Sequence, residues 1–263
     1  LPRAPIPPLP SQPPQGFDKI NNSINAIGVK NEGVLVQEFL SGTEYVVDCV
    51  SRDGVHKVTA IWEYDKRPAN GQFNVYFGMS ILAVRNDLEV RLKDYVFGVL
   101  DALEVANGPT HSEVKMTETG PCLVETGARC HGGEATWQPL ADGCVGHNQI
   151  NVSLDAYLRP DEYDKVPEVT TELKQYGREV FLVAYEGGTI ESMPGIDIVR
   201  GLDSFVRMEM AVQPGDDLRP TVDCFTRPGA VQLMHADKEV VMRDYESIRN
   251  LEENGFFVLK EKK

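Results

Sequence analysis

Two hydrophobic periods organise this chain. From Thr43 the runs TEYVVDCVSRDG, HKVTAIWEYD and NVYFGMSILAV are rich in Val, Ile, Tyr and Phe, and Arg52-Asp53-Gly54 and Asn70-Gly71 interrupt them. Runs of this kind between turn dipeptides predict strands joined by hairpins, and so an antiparallel meander. The run VLVQEFL, set off by Ser41-Gly42, carries the same signature and predicts a strand ahead of them. After Val84 the period lengthens. Leu88, Leu92, Val96, Val99, Leu100 and Leu103 share one stripe, which predicts a helix over 88–106 closed by Asn107-Gly108-Pro109. Two further strands, 111–116 and 121–125, follow with a turn at 118–120.

The second half reads more irregularly. Residues 132–165 predict helix in pieces, with Leu154 and Tyr157 facing one way. Beyond Pro167, the segments EVFLVAYEGG, DSFVRMEMAV and GAVQLMHAD predict strands punctuated by Pro194-Gly195, Pro214-Gly215 and Pro228-Gly229. A closing helix over 239–254 would end with Gly255 at its C′ position. At the other end, Phe17, Ile20, Ile24 and Ile27 fall at helical spacing and predict a short amphipathic helix over 17–29. Residues 1–16 are too proline-dense for a helix interior or a central strand, and read as an extended or disordered linker. The expected class is α+β with mostly antiparallel sheet. The segments are 1–16, 17–166 and 167–263, with no internal repeat.

Charge narrows the function classes. Across 263 residues the formal net charge is −14, which repels phosphate backbones and anionic lipid. Nucleic acid and membrane surfaces are therefore not expected partners, whereas a nucleotide held locally with a metal is compatible. With 41% hydrophobic and 25% charged residues the chain is ordinary for a soluble protein. Cys49, Cys122, Cys130, Cys144 and Cys224 form no CxxC pair, so neither a disulfide framework nor a zinc ribbon is suggested and a reducing, cytoplasmic compartment is expected. No run approaches the roughly 18 apolar residues that a membrane span needs. The first residues lack the basic and hydrophobic blocks of a signal peptide.

Two constellations carry chemistry. In Gln37-Glu38-Phe39-Leu40-Ser41-Gly42-Thr43-Glu44 a strand end and its connector can offer backbone groups to an adenine edge, and Glu44 can accept from ribose hydroxyls. Solvated strand-edge carboxylates are the commoner reading of Glu38 and Glu44 on spacing alone. Glu113, on the strand HSEVK, and Glu125, on CLVET, sit on strands joined by a tight turn, with Arg129 just beyond. Paired hard oxygens suit Mg²⁺, which fills its remaining positions with water and substrate phosphates. The planar fork of Arg129 suits phosphate or a developing oxyanion. A surface Glu–Arg ion network fits the same pattern.

Taken in order, VLVQEFLSGTEYVVD, GPTHSEVKMTETGPCLVETGARCHGG and SFVRMEMAVQPGDDLRPTVDCFTRPG resemble the ATP-grasp superfamily, in particular its bacterial L-amino-acid ligase branch. The resemblance runs from about Phe17 to Phe257 and implies an ATP-grasp C-terminal subdomain followed by a lid-like antiparallel subdomain. It implies ATP-dependent joining of a carboxylate to an amine through an acyl-phosphate, with small-molecule substrates such as amino acids. Gln37, Glu38, Phe39 and Leu40 would form the adenine hinge and Glu44 would meet the ribose. Glu113 and Glu125 would hold Mg²⁺, and Arg129 would contact the transferring phosphate or the acyl-phosphate. His131, beside it, would transfer a proton or bind a substrate carboxylate, while His147 reads as a structural hydrogen-bonder.

Three features depart from the family pattern or bear on selectivity. Where the family often has an asparagine metal ligand, this chain has Gly127, which offers no side-chain oxygen. Gly133 stands where such dipeptide ligases can place a bulky residue, which suggests a roomier acceptor pocket. The family's N-terminal α/β domain and its two phosphate-gripping lysines are not recognisable, since Lys19 and Lys30 do not sit on suitable strands. The chain is accordingly expected to be a truncated form. An inactive remnant serving as a nucleotide-binding or interaction module is the rival reading, and a biotin-carboxylase-like enzyme a third, without a biotin-carrier motif. A homo-oligomer is compatible with either class.

Overall fold

The computed structural model describes residues 20, 23–24, 28–33 and 36–260. It divides into two units, 1–40 and 41–263. In the first, the described residues hold one isolated antiparallel bridge, Ile24 to Lys30, with Ser23 and Asn31 bonded to the Ile20 carbonyl. The helix expected over 17–29 falls largely outside the described residues. Of its described residues, Ile20 is helical, whereas Ile24 is in a bridge and Gly28 has φ +80. Residues 36–40 do not form a strand. The proline-rich segment and Lys19 lie outside the described residues.

The second unit is built on an antiparallel sheet whose strands are β1 (Thr43–Arg52), β2 (Val55–Ala69), β3 (Gln72–Leu82), β4 (Gly108–Thr117), β5 (Gly120–Gly127), β6 (Tyr176–Phe181), β8 (Phe205–Met210) and β10 (Gly229–His235). Their order is β5-β4-β1-β2-β3-β6-β10-β8. The meander forms as its turn residues require. Asp53 and Gly54 (φ +50 and +78) link β1 to β2, and Asn70 and Gly71 (φ +50 and +78) link β2 to β3. Two consecutive positive φ values make a type I′ hairpin, whose twist matches that of the flanking strands.

The sheet does not break where residue 166 meets 167. Gly78, Met79 and Ser80 pair with Val180, Glu179 and Arg178, so β6, β10 and β8 extend the same sheet. A small second sheet, ordered β11-β7-β9, comprises β7 (Gly188–Ser192), β9 (Asp217–Leu218) and β11 (Val258–Leu259). These strands, and the helix at Gly195–Arg200, carry too few residues for periodicity to reveal them.

Helix α1 (Asp87–Ala102) covers one face, where Leu92, Val96 and Leu100 pack on Tyr45, Val47, Cys49 and Val114. It stops short of the expected Ala106. Leu103 is the C-cap and Glu104 adopts φ +55, with Val105 N–H bonded to the Leu100 carbonyl and Glu104 N–H to that of Asp101. This is a Schellman closure carried by a glutamate. At the other end Asn86 and Glu89 form a capping box. Replacing Asn86 by Ala should cost about 1 kcal/mol, read as a lower urea midpoint at unchanged slope.

Helices α2 (Gln138–Cys144), α3 (Gln149–Leu158) and α4 (Pro160–Lys165) follow β5. On the face opposite α1, Trp137, Leu140, Ala141 and Cys144 pack on Val46, Trp62, Met79 and Ile81. Leu154 and Tyr157 of α3 do face one way, but outward: both are exposed, whereas Val152 and Ala156 are buried. Ala156 packs against the sheet because it is small, a choice that hydrophobicity alone ranks below Leu or Tyr. After the short helix α5 (Gly195–Arg200), α6 (Lys238–Glu253) lays Val241, Tyr245 and Ile248 on Val180, Leu182, Val231 and Leu233. It ends with Gly255 at φ +116, the C′ position expected for it. No helix among the described residues is long and apolar enough to cross a membrane.

Candidate functional site

Strand geometry assembles the site. Side chains alternate across a pleated sheet, so Glu44, Val46 and Asp48 of β1, Trp62 and Tyr64 of β2, and His111, Glu113 and Lys115 of β4 share the face opposite α1. Register sets them in rows: Glu44 opposite Lys115, Val46 opposite Glu113, Asp48 opposite His111. On the other side of β4, Glu113 pairs directly with Glu125, next to a bulge. Cross-strand partners hold their Cβ atoms about 4.5–5.5 Å apart, so the two carboxylates are neighbours on one face. Glu125 is exposed and Glu113 half-buried, giving a pair open to solvent on one side.

Glu113 is held in place by its surroundings. Its Oε1 accepts from Tyr64 Oη at 3.3 Å and lies 3.5 Å from His111 Nε2. Burial alone would raise its pKa. The His111 bond, the Lys66 charge and the Tyr64 bond outweigh that and hold Glu113 below the usual carboxylate range, ionised as a metal ligand must be.

Asp48 lies on the same face, opposite His111 and 1% exposed. Its Oδ1 meets His111 Nδ1 at 2.9 Å, and its Oδ2 meets His131 Nδ1 at 2.8 Å and Trp62 Nε1 at 2.9 Å. Burial pushes this carboxyl up, but the His131 charge and the two histidine hydrogen bonds prevail and hold it well below its ordinary value. An ionised carboxylate only accepts, so each imidazole donates from Nδ1. His111 is desolvated, yet its bonds to Asp48 and Glu113 raise it to about 9. His131 also stands edge-on to His111, with ring centroids 4.5 Å apart, and close to Trp137.

Arg129 follows β5 in an exposed segment, where its Nη1 donates to the Cys130 carbonyl. The next turn is left-handed at three successive residues: Gly133, Glu134 and Ala135 have φ of +70, +58 and +60. Glutamate and alanine rarely occupy that region. Gly127 carries no metal-directed oxygen, and the Arg129 side chain runs alongside it. The pKa of His147 is lowered by burial, and its Nε2 has no hydrogen-bond partner among the described residues.

A cavity of about 450 Å³ opens at the Glu44 end of the same strands, lined in part by Glu44, Tyr64, Lys66, Arg67, Lys115 and Arg178. Glu44 is bonded to Lys66 and lies 3.7 Å from Lys115. Lys66 also sits over the rings of Tyr64 and Tyr76, 4.7 and 4.1 Å from their centroids. Cations thus concentrate locally in a protein that is acidic overall. Gln37, Glu38, Phe39 and Leu40 belong to the first unit, where Phe39 is exposed.

The structure brings Glu113, Glu125 and His131 onto or beside one sheet face and places Glu44 along it. Asp48, Trp62, Tyr64, Lys66, His111 and Lys115 were not singled out from sequence. One signal could have found several of them. Once Glu113 is assigned to a strand, period two nominates His111 and Lys115 on its face, and the same rule on β1 links Glu44 to Asp48.

The fold superposes on the crystal structure of an L-amino acid ligase from Bacillus licheniformis with a TM-score of 0.70 at 21% identity, covering 85% of this chain and 53% of that one. Residues 14–138 match the ATP-grasp domain family. The fold is ATP-grasp. A second likeness, to the crystal structure of phosphoribosylglycinamide synthetase from Anaerococcus prevotii, has a TM-score of 0.63 at 14% identity and covers 85% of this chain and 55% of that one. In sequence the chain is 29% identical over 241 residues to dapdiamide A synthase of Enterobacter agglomerans, covering 90% of this chain and 56% of that protein. The chain therefore spans about half the length of these relatives.

Proposed function

We propose that this chain forms the nucleotide- and metal-binding part of an ATP-dependent carboxylate–amine ligase, which activates a carboxylate as an acyl-phosphate and passes it to an amine, releasing ADP and phosphate. The observation that carries the reading is the direct opposition of Glu113 and Glu125 on adjacent strands, with Arg129 just beyond the second. Two carboxylates side by side repel unless a cation lies between them. Their hard oxygens and open side fit Mg²⁺, which would neutralise charge on the transferring phosphate.

Arg129 would meet that phosphate or the acyl-phosphate, where a fixed cation is worth most as charge is redistributed. His131, within the same segment and bonded to Asp48, would transfer a proton or bind a substrate carboxylate. Gln37–Leu40 would meet the adenine edge. Glu44 keeps acceptor capacity for ribose hydroxyls beyond its bonds to Lys66 and Lys115, because a carboxylate has about four lone-pair positions. With Gly127 beside the pair, a second metal would lack one ligand and bind more weakly than the first.

The substrates fit the names of the similar proteins: amino acids or related small carboxylates and amines. Gly133 leaves room for a larger acceptor side chain. The test is calorimetric titration of the chain with ADP, with and without Mg²⁺, followed by an ADP-release assay over an amino-acid panel. Nucleotide binding should require Mg²⁺, whereas ADP release by this chain alone should be very slow or undetectable with every amino acid, because its sequence holds no recognisable pair of phosphate-gripping lysines. Binding indifferent to Mg²⁺ would overturn the reading.

A further inference from the structure

Arg129 and Glu113 lie on different segments, and the structure shows what ties them together. His131 is fixed twice. Its backbone N–H donates to Gln149 Oε1 at 2.7 Å, and its ring Nδ1 donates to Asp48. Gln149 is 1% exposed, and its Nε2 donates to the carbonyls of Cys49 and Thr110, bracing β1 and β4. Trp137 Nε1 donates to the Gly132 carbonyl, and Thr136 Oγ1 to that of Gly133, on either side of the left-handed turn. Backbone in that region persists only where its neighbours over-determine it. The other imidazole bound to Asp48, His111, is the one that faces Glu113.

We infer that Asp48, acting through His131 and His111, is a positioning residue that locks the Arg129 segment to the strand carrying Glu113. Asp48 accepts from three elements at once, and each bond is charge-assisted or fully buried. Gln149 secures the same histidine from below. This inference rests on the roles proposed above for Arg129 and Glu113. Two imidazoles and a carboxylate also make a donor set that zinc accepts. Here, however, the Asp48 oxygens are already taken by N–H groups, which favours the hydrogen-bonded clamp.

The test is hydrogen–deuterium exchange and Mg²⁺-ADP titration on the full chain, comparing wild type with Asp48→Asn, His131→Ala and the double variant. Loss of one charge-assisted bond should speed exchange over residues 129–135 by about tenfold and weaken Mg²⁺-ADP by a similar factor. Exchange in α6 should not change, and the double variant should be no worse than the worse single one. If Asp48→Asn fails to fold, His131→Ala carries the same readouts. Uniformly faster exchange, additive losses, or an unaltered 129–135 segment would each overturn the inference. So would one equivalent of Zn²⁺ bound by wild type and lost in Asp48→Asn. A wild type that ignores Mg²⁺-ADP while its variants loosen the segment sinks the ligase reading instead, leaving the clamp standing.

Discussion

Glu113→Gln and Glu125→Gln should each weaken Mg²⁺-dependent nucleotide binding by at least about a hundredfold, since even outer-shell changes around a metal commonly cost ten- to a hundredfold. The amide keeps the shape of the carboxylate but removes its charge, so the strand pairing should survive and thermal stability change little. The two variants should differ in one respect. Glu113 is braced by Tyr64 and His111, so its replacement also leaves His111 without a carboxylate partner at Nε2. Glu125 is exposed and braced by neither. Titration with ADP at several Mg²⁺ concentrations separates the cases: excess metal should partly rescue Glu125→Gln and should rescue Glu113→Gln less. Equal nucleotide affinity in both variants and wild type would remove the pair from the metal site.

The periods in the sequence that proved readable were those fixed by local physics. Asp53-Gly54 and Asn70-Gly71 dictate tight hairpins, so β1, β2 and β3 could be placed from turn chemistry and alternation together. The stripe of α1 was equally plain, although its end was not. A glutamate in the left-handed region closes it, and no local rule nominates Glu104 over the Gly108 that follows. Helix α3 misled because Ala156 faces inward while Tyr157 does not, and packing space decides between them.

The site divides in the same way. Glu113 and Glu125 were accessible because one hairpin joins their strands. Asp48 was not, because His111 and His131 are 63 and 83 residues away from it, and only the strand order β5-β4-β1 brings them together. Net charge was a poor guide to the site in another sense. The total of −14 says nothing of where the cations lie, and Lys66, Arg67, Lys115 and Arg178 converge around one cavity.

That convergence depends on a second, half-buried carboxylate, Asp65, and removing it should produce the largest stability loss of the changes considered. Asp65 Oδ1 and Oδ2 accept from Arg67 at 2.7 and 2.8 Å, Oδ2 accepts from Tyr245 Oη at 2.7 Å, and Arg178 bonds to the same oxygen. Tyr245 belongs to α6, and Arg178 stacks 3.8 Å from its ring centroid, so the hub joins β2 and β6 to the helix that covers them. Removing one partner of a buried ion pair costs about 3–5 kcal/mol because the remaining charge is left uncompensated. Asp65 is 16% exposed, which places Asp65→Ala near the lower end, about 3 kcal/mol. Its pH dependence follows from the same contacts. Burial raises the carboxyl, but the bonds from Arg67 and Tyr245 and the charge of Arg178 outweigh it and hold the pKa below the ordinary value. A carboxylate lowered on folding stabilises the native state fully above its unfolded pKa, about 4, and that contribution is lost as pH falls through the folded value. Urea midpoints measured from about pH 7 down to pH 2 should therefore show a steeper acid limb in wild type than in Asp65→Asn. Parallel limbs would mean that the Asp65 contacts contribute no pH-dependent stability, and that the arginines around the cavity are held by packing rather than by this carboxylate.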